Sequence, residues 1–118
     1  MTTLADFSFF LMLSLFMTHE IDAVKQREWR MLPVLNRLDD EAGFWWFTAL
    51  HVPMFLLFFW YFNAVGFRIG LSAFAVIHAG LHWILRKHPN YEFNNLLSDT
   101  LVRGAAIAGA LYLIAQFA

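Results

Sequence analysis

Thr18-His19-Glu20-Ile21-Asp22 decides how the rest of the chain is read, because the stretch before it is apolar yet too short to cross a bilayer alone. From Thr3 to Met17 run about 15 mostly apolar residues, whereas a helix needs about 20 to span a hydrocarbon core ~30 Å thick. The first helix is therefore predicted to carry His19, Glu20 and Asp22 into the membrane with it. Ionisable groups at that depth cost roughly 2.5 to 3.5 kcal/mol each on insertion scales, so they must face the protein interior and find partners there.

Composition points the same way. Of 118 residues, 60% are hydrophobic, 19% aromatic and only 14% charged, and the mean hydropathy is +0.55, too apolar for a soluble domain of this size. The expectation is a single domain over residues 1–118, an all-α integral membrane protein built as a four-transmembrane-helix bundle. A formal net charge of -1 gives no reason to expect nucleic acid as a partner. Cysteine is absent, which excludes disulfides and thiolate ligands and leaves imidazole and carboxylate as the strong metal ligands. A secretory signal peptide is disfavoured, because Asp6 rather than Lys or Arg precedes the apolar run and no small-residue cleavage site follows it.

Segment one is predicted from about Leu4 to Lys25. The mixed stretch from Lys25 to Leu38 suits a short amphipathic piece in the headgroup region, broken at Pro33, and Asp39-Asp40-Glu41 supplies caps for the next helix. Segment two, about Gly43 to Val65, has Trp45-Trp46 near one end and Trp60-Tyr61 near the other, as two membrane interfaces favour. Pro53 cannot donate to the carbonyl of Ala49, which predicts a bend beside His51. Segment three runs from about Phe67 to Leu85 and segment four from about Leu96 to the end. In segment four, Gly104 and Ala108, Ala105 and Gly109, and Ala106 and Ala110 stand four apart, the spacing that lets helices approach closely. The same feature makes a homo-oligomer through segment four conceivable. Of the eight Lys and Arg residues, seven belong to the loops after segments one and three and the adjoining helix ends, and Arg68 alone to the other side. That asymmetry predicts the cytoplasmic (inner) membrane, those two loops inside and both termini outside.

Depth brings the histidines together. At ~1.5 Å per residue, His19, His51, His78 and His82 fall about 7 to 13 Å from the cytoplasmic helix ends. His78 and His82 are four apart and so share one helix face. Three or four neutral imidazoles with a carboxylate suit zinc or non-haem iron. The predicted ligands are His19, Glu20, Asp22, His51, His78 and His82, with Glu20 as ligand or general base and Asp22 or Asp99 as a possible second carboxylate. Against this stand plainer roles: Glu20 paired with Arg103, Asp99 capping segment four or paired with Arg103, Glu28 and Trp29 at the interface, and His88 in a loop.

The Thr18-His19-Glu20-Ile21-Asp22-Ala23-Val24 stretch, Glu28-Trp29-Arg30, His51-Val52-Pro53 and the His78/His82 pair together resemble a group of small uncharacterised bacterial multi-helix membrane proteins of the HXXEE-like type. That group is named for an N-terminal histidine followed by paired glutamates. The resemblance implies a multi-helix membrane architecture, and its match is specific at His19. Where the group has its paired acids, this chain has Asp22 and Ala23.

The leading functional expectation is a metal site that acts on a lipid or other apolar substrate, the metal activating a bound water or dioxygen. The alternatives are a b-type haem held by His51 with His78 or His82 for electron transfer, a proton or ion pathway through the His and acid groups, and a structural accessory subunit.

Overall fold

The computed structural model describes residues 3–118. Four helices follow in order, α1 (Leu4–Lys25), α2 (Asp40–Tyr61), α3 (Val65–Leu85) and α4 (Leu96–Phe117), with short 3-10 turns at Glu28–Met31 and Leu35–Arg37 between α1 and α2. Each has 21 or 22 residues and is long and apolar enough to cross a membrane. The expected boundaries of α1 and α4 coincide with these. The start of α2 lies three residues earlier than the sequence reading placed it, at Asp40, and α2 ends at Tyr61 rather than near Val65. The reason for the earlier start is a cap: the Asp39 side chain accepts from Ala42 N at 2.8 Å, while Asp40 and Glu41 occupy the favourable first turn. Helix α2 continues through Pro53.

Both ends of α1 are determined locally. At its start, Thr3 and Asp6 form a reciprocal capping box. At its end, Arg27 adopts a left-handed conformation (φ 54°) that reverses the chain, and its guanidinium holds Glu92 through bonds of 2.8 and 3.1 Å. Arg30 adds Asp40 and, at 3.2 Å, Glu92. The α1–α2 and α3–α4 connections are thereby clasped together at one end of the molecule.

Helix α4 packs along both α1 and α3, and small residues make that possible. Ala105, Ala108 and Gly109 are buried beside Phe9, Met12, Phe16, Leu71, Ala75 and Tyr112 in the main core. Gly104 faces Leu15 of α1, and Gly109 lies against the backbone of Ser72 in α3. The small-residue spacing of α4 thus serves close approach within this chain. At the far end Arg68 Nη1 donates to Asp6 at 2.7 Å, its Nε donates to the Phe62 carbonyl at 2.6 Å, and its guanidinium lies 4.7 Å from the Phe9 ring centre. The one basic residue on that side therefore ties α1, α2 and α3 together.

Helix α2 stands further off, meeting the rest through long side chains. Phe58 reaches Phe16, Phe47 reaches Trp29, and Trp45, Trp46, Leu50, Leu56 and Phe59 stay exposed. Separation of α2 from α3 leaves a cavity between them.

The contacts of α4 with α3 and with α1 supply a paired test. A Cβ at position 109 would sit 2.8 Å from the Ser72 carbonyl oxygen, whereas one at position 104 would meet only the mobile end of Leu15 at 3.2 Å. Gly109→Ala is expected to destabilise the fold by about 1 to 3 kcal/mol and Gly104→Ala by clearly less, read by thermal unfolding in detergent.

Candidate metal centre

His19 lies in the penultimate turn before α1 ends and is 1% exposed. Neither of its ring nitrogens has a hydrogen-bond partner among the described residues. A buried imidazole normally satisfies at least one nitrogen, because leaving a polar group unpaired costs about 1 to 3 kcal/mol. What surrounds His19 is other potential ligands. The His78 and His82 rings of α3 stand edge-on to it, with centroids 4.7 and 5.0 Å away and 4.5 Å from each other. Glu28, from the first 3-10 turn, brings Oε2 to 3.8 Å from His19 Nε2. One ligand atom from each of His19, Glu28, His78 and His82 lies within 4.8 Å of all the others. Ligands of a tetrahedral zinc at ~2.0 to 2.2 Å stand about 3.4 Å apart, so a modest contraction would close this set on an ion.

The four groups converge because of how the chain turns. His78 and His82 share a face of α3 by their spacing. Glu28 is positioned by its neighbour: Trp29, 3% exposed, is buried among Ala23, Phe47 and Phe93 and pulls the 3-10 turn under the end of α1. Phe93 covers the other side, 5.5 Å from the His19 ring and 4.7 Å from that of His82. His82 Nδ1 lies 3.1 Å from the Tyr91 hydroxyl. The tautomer that donates from Nδ1 to Tyr91 leaves Nε2 free to coordinate, the usual way a second residue orients a ligand histidine. Burial, followed by the nearby charge of Glu20, pushes the Glu28 carboxyl up to about 8, and no Lys or Arg lies in the cluster to offset it. A bound cation would favour the carboxylate there.

Three of the six expected ligands therefore meet, His19, His78 and His82. The other three have different partners. Glu20 Oε2 lies 2.7 Å from His51 Nε2, and His51 Nδ1 lies 2.7 Å from the Phe47 carbonyl. A carbonyl only accepts, so Nδ1 carries a proton and the Glu20–His51 contact holds exactly one more. The pair is neutral overall whichever side holds that proton. Asp22 accepts from Ser98 Oγ and from Gln26 Nε2 at 3.2 Å, while Ser98 is itself held by the cap residue Asn95. Asp22 thus bridges α1 to the start of α4. Pairing of Glu20 with Arg103 does not occur: Arg103 Nε bonds Asp99 at 2.9 Å, one turn away on its own helix. His88 is a loop residue whose Nδ1 accepts from Asn90 N.

The member of this cluster that sequence reasoning missed is Glu28. It lies beyond the end of α1, outside any helical periodicity, and its position depends on the left-handed turn at Arg27. The available signal was the adjoining Trp29, a large aromatic residue in an otherwise basic connection.

Residues 5–118 match a family described as a family of unknown function, DUF6713. No curated protein and no solved structure matches the chain.

The neutral Glu20–His51 pair makes a prediction. In Glu20→Gln the amide can donate to His51 Nε2 and keep the contact, so stability should change by less than about 1 kcal/mol. Glu20→Ala leaves His51 Nε2 unpaired and should cost about 1 to 3 kcal/mol in thermal unfolding.

Proposed function

We propose that this chain, which belongs to the DUF6713 family, is a multi-pass membrane protein that holds a transition-metal ion, zinc or non-haem iron, between His19, Glu28, His78 and His82. The observation that carries the proposal is the His19 ring, buried with both nitrogens unpartnered and faced by two more imidazoles and a carboxylate. Three nitrogen donors and one oxygen donor suit zinc and iron better than calcium or magnesium, which prefer all-oxygen sites.

Support for the membrane comes from four helices of spanning length and from large apolar side chains exposed on every one of them. Clasping of the two basic connections by Arg27, Arg30, Glu92 and Asp40 keeps them on one side, as the positive-inside rule requires of a cytoplasmic face. On this reading both termini lie outside the inner membrane and the metal site sits toward the cytoplasmic end. In an enzymatic role, Glu20 with His51 forms the acid–base couple next to the site, the metal acting as Lewis acid.

The haem alternative draws less support from the geometry. That alternative pairs His51 with His78 or His82 as axial ligands, and both His51 ring nitrogens are engaged, Nε2 by Glu20 and Nδ1 by the Phe47 carbonyl.

Elemental analysis of protein purified without chelator tests the proposal. About one zinc or iron per chain is expected, falling below about a tenth in His78→Ala and unchanged in His88→Ala. Wild-type protein free of transition metal would overturn it.

A further inference from the structure

The four candidate ligands are not held equally. His19, His78 and His82 stand on α1 and α3, helices of 22 and 21 residues, whereas Glu28 stands on the four-residue turn Glu28–Met31. The next side chain, Trp29, keeps that turn beneath the end of α1. How deeply the indole sinks therefore sets how near Glu28 comes to His19.

The indole sinks into a notch in α2. Its ring centre lies 5.8 Å from that of Phe47 and 6.3 Å from that of Phe44. Gly43 is buried one turn before Phe47, on the same face of α2. A Cβ at position 43 would overlap Trp29 Cδ1 and Nε1 and approach Cγ to 3.1 Å. These atoms belong to a rigid ring buried with Ala23, Phe47 and Phe93, not to the free end of a flexible chain. At Gly70, inside α3, a Cβ would meet no atom within 4 Å among the described residues. Glycine is less favourable than alanine inside a helix, and at position 43 its lack of a side chain is what admits the indole.

We propose that Gly43 is a positioning residue of the metal site: it lets α2 accept Trp29, and the seated Trp29 holds Glu28 within reach of an ion on His19, His78 and His82. The first turns of α2 are thereby coupled to the metal, although none of the four clustered side chains comes from that helix. This inference rests on the metal reading given under Proposed function, and it adds what controls the fourth ligand. In Gly43→Ala the helix is the element that stays. It has 22 residues, its start is capped by Asp39, and alanine suits its interior. The short turn gives way instead, and Glu28 withdraws with it.

The test is the cobalt(II) affinity of the full chain in detergent, read from its visible absorption in competition with a chelator. Gly43→Ala should bind cobalt about 10- to 100-fold more weakly than the wild type, the loss typical of residues that orient a ligand. Gly70→Ala should bind it as the wild type does. The decisive comparison is made in Glu28→Ala. Once Glu28 is gone its position is immaterial, so adding Gly43→Ala should cost no further affinity, the non-additivity of two residues that act through one group. Trp29→Leu, which empties the notch, carries the same two comparisons should Gly43→Ala fail to fold. A folded Gly43→Ala with wild-type affinity would overturn the positioning role and leave the metal site standing. An equal further loss in the Glu28→Ala background would also overturn it, because the effect would then not pass through Glu28. Failure of the wild type to take up cobalt would overturn the metal reading, and this role with it.

Discussion

The structure depends on how an apolar helix end accommodates three ionisable residues in a row of four. A helix that must carry His19, Glu20 and Asp22 into a region poor in water needs a separate partner on each side, because successive residues point about 100° apart. The chain supplies three. His19 turns toward α3, Glu20 toward His51 of α2, and Asp22 toward Ser98 at the start of α4. One short stretch of α1 thereby specifies the direction of every other helix around it. Two of these contacts are closed hydrogen bonds, and at the third both His19 ring nitrogens are without a hydrogen-bond partner among the described residues.

That arrangement needs helices at unequal distances. Small residues let α4 lie directly on α1 and α3, making a tight three-helix unit whose core is filled by Phe9, Met12, Phe16 and Tyr112. Helix α2, rich in Phe and Trp, is held off by its own side chains. The tight unit gives the histidines a rigid base on α1 and α3, while the looser helix leaves room beside them. Rigidity on one side and space on the other are what a site needs if it is to hold an ion and admit a ligand.

Much of the architecture was legible in the sequence for physical reasons. Long apolar runs interrupted by Gly, Pro and charged clusters marked four helices, and the differences are confined to the two ends of α2 and the start of α3. Depth along the helices brought His19, His78 and His82 to one level, and they do meet. Depth says nothing about azimuth, however, so it could not distinguish Glu20 and Asp22, which turn away to α2 and α4, from residues that face α3. Nor could it place Glu28, whose approach follows from a reversal at Arg27 and the burial of Trp29. Helical periodicity stops where α1 stops, and the fourth member of the cluster lies beyond that point.

The central claim is that His19, Glu28, His78 and His82 surround one ion. Anomalous X-ray diffraction at the zinc and iron edges, from crystals of protein never exposed to chelator, addresses it most directly. A single peak about 2.0 to 2.2 Å from a ring nitrogen of each histidine and from a Glu28 oxygen is the result expected. Ordered water bridging the His19 nitrogens, with no anomalous peak among the four side chains, would contradict it.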